Sequence, residues 1–111
     1  MNNHPEIPEI DIIEAKKRID AGATFIDVRE DNEFREVRIP GAKLIPLSEF
    51  ADRYEAELST DSEIVVHCRS GQRSADVTLF LMRHGYQAIN MRGGILAWEA
   101  AELPIERGGN R

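Results

Sequence analysis

Val65-Val66-His67-Cys68-Arg69-Ser70-Gly71-Gln72-Arg73-Ser74-Ala75 runs an apolar strand through a short polar loop into a helix, and it carries the chain's single cysteine. A helix that starts just past a loop turns its unpaired backbone N–H groups, and the positive end of its dipole, toward that loop. Gly71 gives the loop the freedom to fold inward as an anion-holding nest. Cys68 therefore falls where negative charge is favoured. A free thiol with pKa ~8.5 is only a few per cent thiolate at neutral pH, whereas helix N-termini and arginines lower that pKa by one to several units. A two-unit drop corresponds to about 2.7 kcal/mol and makes the nucleophilic thiolate the major form. Lone cysteines are more often small buried hydrophobes. A structural one, however, would more naturally lie within Ile64 to Val66 than at the strand's exit, ahead of Arg-Ser-Gly-Gln-Arg. The expectation is a thiol at a sheet's rim, outside the hydrophobic interior.

Asp61-Ser62 turns the chain into the strand Glu63 to His67, and a helix over Ser74 to His84 stops at Gly85. Gln87 to Met91 forms a last strand, and Gly93-Gly94 leads into a helix that contains Trp98 and ends before Pro104. Upstream, Ser48 is a candidate N-cap for a helix whose Phe50, Tyr54 and Leu58 make one apolar stripe. Thr24 to Val28 reads as a strand buried on both faces. Asp27 and Arg29 lie at its C-terminal end, where such sheets place ligand sites, and an ion pair bracing the next loop is the preferred role for them. Glu30 to Val37 reads as a short helix with Phe34 and Val37 inward, followed by a Pro40-Gly41 turn and the strand Lys43 to Ile45. Near the start, a strand at Glu9-Ile10 precedes a helix capped by Asp11, with Glu14 as its capping-box partner and Gly22 as its stop. Strands alternating with helices give an α/β domain with a mainly parallel sheet, but no strand order. Neighbours on a strand point to opposite faces, so His67 is read as structural rather than as a base for Cys68.

The 111 residues, 41% hydrophobic, suffice for one core and one domain over residues 9–105, with a flexible lead-in at 1–8 and a flexible tail at 106–111. No apolar run approaches a membrane span, and Met1-Asn2-Asn3-His4-Pro5 reads as neither a signal nor a transit peptide. One cysteine excludes an internal disulfide, and a thiol that must stay reactive suits a reducing compartment, so a cytoplasmic location is expected. A net charge of -6 argues against nucleic acid and anionic membrane as partners. The charge is uneven: residues 1–64 hold 16 acidic and 8 basic side chains, whereas Val65 to Arg92 set Arg69, Arg73, Arg83 and Arg92 against Asp76 alone. His4, His67, His84 and Cys68 show no metal-ligand spacing, so neither metal nor cofactor is expected.

Cys68-Arg69-Ser70-Gly71-Gln72-Arg73-Ser74 resembles the active-site loop of the single-domain rhodanese (thiosulfate sulfurtransferase) family. Ile26-Asp27-Val28-Arg29-Glu30, continuing to Arg38-Ile39-Pro40-Gly41-Ala42, resembles that family's first signature. Met91-Arg92-Gly93-Gly94-Ile95-Leu96-Ala97-Trp98 resembles the signature near its C-terminus. The family generally has a histidine where Arg38 stands, which leaves that side chain without an assigned role.

The resemblance implies a five-stranded, mainly parallel sheet with helices on both faces and the active loop at the end of the central strand. It implies a sulfurtransferase in which Cys68 attacks a small anionic donor, thiosulfate or a persulfide, and becomes a persulfide itself. Cyanide or a thiol then accepts the sulfur. The N–H groups of Arg69, Ser70, Gly71, Gln72, Arg73 and Ser74 would hold thiolate and intermediate, and the guanidinium groups of Arg69 and Arg73 would draw in the donor or brace the loop. The loop and the Arg38-Ile39-Pro40-Gly41 variant are also similar to domains that pass sulfur to carrier proteins, so a sulfur-carrier protein joins the candidate partners. Two alternatives stand beside this reading. One is a non-catalytic rhodanese-like binding or regulatory module. The other is a cysteine phosphatase, whose His-Cys-x5-Arg loop is one residue longer than the spacing from Cys68 to Arg73.

Overall fold

Glu63-Ile64-Val65-Val66-His67 is apolar on both sides of its pleat, and a strand of that kind needs cover on both faces. The computed structural model, which describes residues 6–109, makes it β5 (Glu63–His67), the middle strand of a five-stranded sheet. Across the sheet the order is β1 (Glu9–Ile10), β6 (Gln87–Met91), β5, β2 (Thr24–Asp27) and β4 (Lys43–Leu44). All neighbours run parallel, and Val66 lies in register between Ile26 and Asn90. All five C-termini therefore open on one edge.

Helices α3 (Leu47–Glu57) and α4 (Gln72–Arg83) cover one face, where Phe50, Leu58, Val77 and Leu81 pack on Ile26, Ile64 and Val66. On the other face lie α1 (Ile12–Asp20) and α5 (Gly94–Ala100), whose Ala15, Ile95 and Trp98 meet Phe25, Val65 and Met91. Alternate residues of one strand thus enter opposite cores, as the two-residue period of a strand requires. The α/β architecture matches the expectation in strand number, parallel sense and the two helical layers. No helix of the described residues is long and apolar enough to cross a membrane.

Several local expectations are corrected. Asp11 accepts the Glu14 N–H at 2.8 Å, but the Glu14 carboxylate turns to Arg18 Nε at 2.9 Å, so the capping box is only half made. A guanidinium one turn ahead is the stronger partner for that carboxylate. Helix α3 begins at Leu47 with Pro46 in the cap position, and Ser48 instead donates its hydroxyl to Glu30 Oε1 at 2.6 Å. Helix α2 (Asp31–Glu36) buries Phe34, but Val37 leaves it to join β3 (Val37–Arg38).

The largest difference concerns residues 106–109. Where a flexible tail is expected from residue 106, Glu106–Arg107 form β7, paired antiparallel with β3. Arg38 supplies the physical reason, donating from Nε to Glu106 Oε1 at 3.2 Å and from Nη2 to the Gly108 carbonyl at 3.0 Å. The role left open for Arg38 is thus to fasten the last strand. Most of the expected lead-in, residues 1–5, lies outside the described residues, and Pro8 already joins the sheet edge by accepting the Asn90 N–H.

Candidate functional site

Cys68 leaves β5 at the sheet's C-terminal edge, and three residues later Gly71 takes a left-handed conformation, φ 109°, as the N-cap of α4. That turn points the loop's N–H groups back at the sulfur, where Sγ accepts from Gly71 N–H at 3.1 Å and from the Ser74 hydroxyl at 3.3 Å. Burial pushes the thiol up. Hydrogen bonds from the Ser74 hydroxyl and from the backbone N–H groups of Ser74, Gly71 and Ser70 outweigh it, so the thiol ionises below its ordinary value. Cys68 is only 1% exposed, and its side chain packs with Val66 and Val77. The sulfur is therefore deeper than the rim position expected. The donors must converge on it to hydrogen-bond it, and in converging they roof it over. Its surroundings are still a polar cradle rather than hydrocarbon alone.

The loop is also held from outside. The Ile95 N–H donates to the Cys68 carbonyl at 2.9 Å and the Leu96 N–H to the Arg69 carbonyl at 3.1 Å. Carbonyls drawn outward leave the same loop's amides free to face Sγ. Gly94 permits the approach: at φ 59°, a Cβ there would stand 2.4 Å from the Arg69 carbonyl oxygen and 2.5 Å from that of Cys68. The signature around residues 91–98 thus meets the loop through the Ile95 and Leu96 N–H groups, which the missing side chain of Gly94 lets come close. Trp98 is core, 3% exposed, with its indole N–H on the Pro104 carbonyl at 2.8 Å.

The two loop arginines part ways. Arg73 makes a two-pronged pair with Glu33 on α2, at 2.8 and 2.9 Å, and this hydrogen bonding lowers the Glu33 carboxyl to about 2. Arg69 is exposed and has no ion pair among the described residues, and Ser70 and Gln72 are exposed beside it. Both Nη atoms of Arg73 are engaged by Glu33, whereas Arg69 has no such partner among the described residues. Glu33 carried no signal as a site residue. Its one clue was its position three residues after Glu30, whose N–H it accepts at 3.0 Å.

Asp27 and Arg29 form the expected ion pair, buried at 0% and 2% exposure, with Arg29 Nη2 also donating to the Val37 carbonyl at 2.7 Å. Beneath them His67 is buried against Phe25, ring centroids 4.9 Å apart, and burial depresses its pKa. Its Nδ1 lies 3.2 Å from the Cys68 carbonyl, not on the sulfur, as expected of a neighbour on the opposite face. Among the described residues no three His, Cys, Asp or Glu side chains gather as a metal site.

A doubly covered parallel sheet with a hydrogen-bonded thiol at the helix following its central strand defines a cysteine-loop α/β domain. Residues 11–101 match the family model described as the rhodanese-like domain, and the chain belongs to that family. YtwF of Bacillus subtilis (strain 168) is 40% identical over 101 residues, covering 89% of this chain and 97% of that protein. A protein of Arabidopsis thaliana named thiosulfate sulfurtransferase 18 is 31% identical over 114 residues, 90% of this chain and 84% of its own length. Among solved structures, a rhodanese-related protein from Thermoplasma volcanium superposes with a TM-score of 0.83 at 30% identity, over 89% of this chain and 97% of that one.

Proposed function

We propose that the protein is a sulfurtransferase in which Cys68, as the thiolate, takes the outer sulfur of a small anionic donor such as thiosulfate or a persulfide. With thiosulfate, the Cys68 sulfur forms a bond to the outer sulfur while the donor's own S–S bond breaks, and sulfite leaves with the electron pair. A thiol or cyanide then attacks the outer sulfur of the Cys68 persulfide, releasing the Cys68 thiolate. A sulfur-carrier protein is a further acceptor of the same chemistry.

The observation that carries this reading is the convergence of Gly71 N–H and the Ser74 hydroxyl on Sγ. Those donors, set at a helix N-terminus, favour negative charge on the resting thiolate and on the terminal sulfur that replaces it. Exposed Arg69, the residue after Cys68, supplies a cation for the donor. A single cysteine that works unpaired suits the reducing cytoplasm.

Incubation with thiosulfate is expected to add the mass of one sulfur atom to the wild type and none to Cys68→Ser. Equal labelling of both proteins refutes the assignment. Robust Cys68-dependent hydrolysis of an aryl phosphate would point to phosphatase chemistry instead.

A further inference from the structure

We propose that Glu33 is a positioning residue for sulfur transfer, its carboxylate holding Arg73 in a fixed fork so that the first turn of α4 keeps its donors on Cys68 Sγ. The proposal rests on the reading of Cys68 as the nucleophile. Arg73 lies between Gly71 and Ser74, the two residues that donate to Sγ at 3.1 and 3.3 Å. A displacement of Arg73 is therefore a displacement of both.

Glu33 is 40 residues away in sequence, on another helix, and it engages both terminal nitrogens of the guanidinium at 2.8 and 2.9 Å. A planar fork matched to a carboxylate fixes direction as well as distance. Glu33 is itself anchored. Its Oε1 also accepts the Glu30 N–H at 3.0 Å, and the Glu30 carboxylate takes the Ser48 hydroxyl at 2.6 Å and the Ser48 N–H at 3.1 Å. The start of α3, the first turn of α2 and Arg73 in the first turn of α4 are thereby tied in one chain of hydrogen bonds, and the backbone next to Arg73 carries the Ser74 hydroxyl that donates to the sulfur.

The pair is a poor candidate for a purely stabilising role. Its side chains are 33% and 25% exposed, and ion pairs so placed contribute little to stability. Glu33 also occupies the end-on fork of Arg73, Nη1 and Nη2, which is therefore not open to a donor anion.

The test uses Glu33→Gln, which removes the charge, and Glu33→Asp, which keeps the charge on a shorter arm that cannot hold the fork. Three readouts are taken: the pH dependence of alkylation by iodoacetamide, which needs no sulfur transfer; the melting temperature; and kcat and KM for thiosulfate with cyanide. Both variants are expected to move the alkylation inflection up by about one pH unit, slowing alkylation about tenfold below it. A several-fold drop in kcat is expected, with KM for thiosulfate and the melting temperature nearly unchanged.

An unmoved inflection in both variants, with only the melting temperature lowered, overturns the proposal. So does an inflection that falls in Glu33→Gln and stays put in Glu33→Asp, since that is the response to charge alone. If the inflection moves up in both variants while the wild type takes no sulfur from thiosulfate, the positioning of the thiol is supported and the sulfur-transfer reading is overturned.

Discussion

Replacing Ser74 by alanine removes one hydroxyl from the sulfur and nothing else from the loop's backbone. Ser74 is fully buried, and its Oγ donates to Cys68 Sγ at 3.3 Å. A hydrogen bond to a charged group contributes about 1.5–3 kcal/mol, and each 1.36 kcal/mol of differential stabilisation is one pKa unit. The 3.3 Å separation and the remaining N–H donors of Gly71 and Ser74 favour the lower end of that range. The thiol of Ser74→Ala is therefore expected to titrate about one unit higher than that of the wild type. Because the chain has one cysteine, the ultraviolet absorbance of the thiolate reports this single group directly. Ser70→Ala serves as the control, since Ser70 reaches the sulfur only through its backbone N–H and its exposed side chain is dispensable. A Ser74→Ala titration that overlays the wild type, or one displaced downward, would show that the hydroxyl does not hold the thiolate.

Arg69→Gln is expected to raise KM for thiosulfate several-fold while leaving the melting temperature in place, because the guanidinium is exposed and has no ion pair among the described residues; an unchanged KM would remove it from donor recognition. Gly94→Ala should cost more than about 1 kcal/mol in urea unfolding, since the new Cβ would stand 2.4 Å from the Arg69 carbonyl oxygen at a positive φ; a neutral substitution would mean that α5 yields easily. Acid should weaken the fold in a defined window. Glu33 is lowered from 4.5 to about 2, so the unfolded chain binds the extra proton, and the pair's contribution is present above pH 4.5 and lost as pH falls through about 2. The loss is small because the pair is partly exposed: urea midpoints across that window should fall slightly less steeply in Glu33→Gln than in the wild type, in which Glu57, held by Arg53 and Lys43, titrates alongside; a steeper fall in Glu33→Gln would refute the sign.

The layered sheet was legible because its signals are local. Continuous apolar strands, glycine stops and the Phe50–Tyr54–Leu58 stripe each depend on a few adjacent residues, and β6 appears over the span expected, Gln87–Met91. The cysteine loop was legible for the same reason, since strand, glycine and helix follow one another without interruption. What stayed hidden was set by partners far away in sequence. Nothing near residue 73 announces Glu33 as the partner of Arg73. The strand at Glu106–Arg107 looked like loose tail because its pairing and its clasp come from Val37 and Arg38. Ser48 looked like a cap because proximity to Glu30 is a product of the fold. The depth of Cys68 belongs to the same class, since a loop read as a string of residues gives no measure of how tightly it closes.

That depth bears on how the molecule keeps in air. A thiol that ionises easily is ordinarily the first to be spoiled by peroxides or crosslinked to a neighbouring copy, and exposure governs both fates. With 1% of its residue surface showing, the sulfur of Cys68 is shut away from the equally buried cysteine of a second copy and from bulky oxidants until the loop yields. The same closure that gathers its donors acts as a sieve on what can reach it.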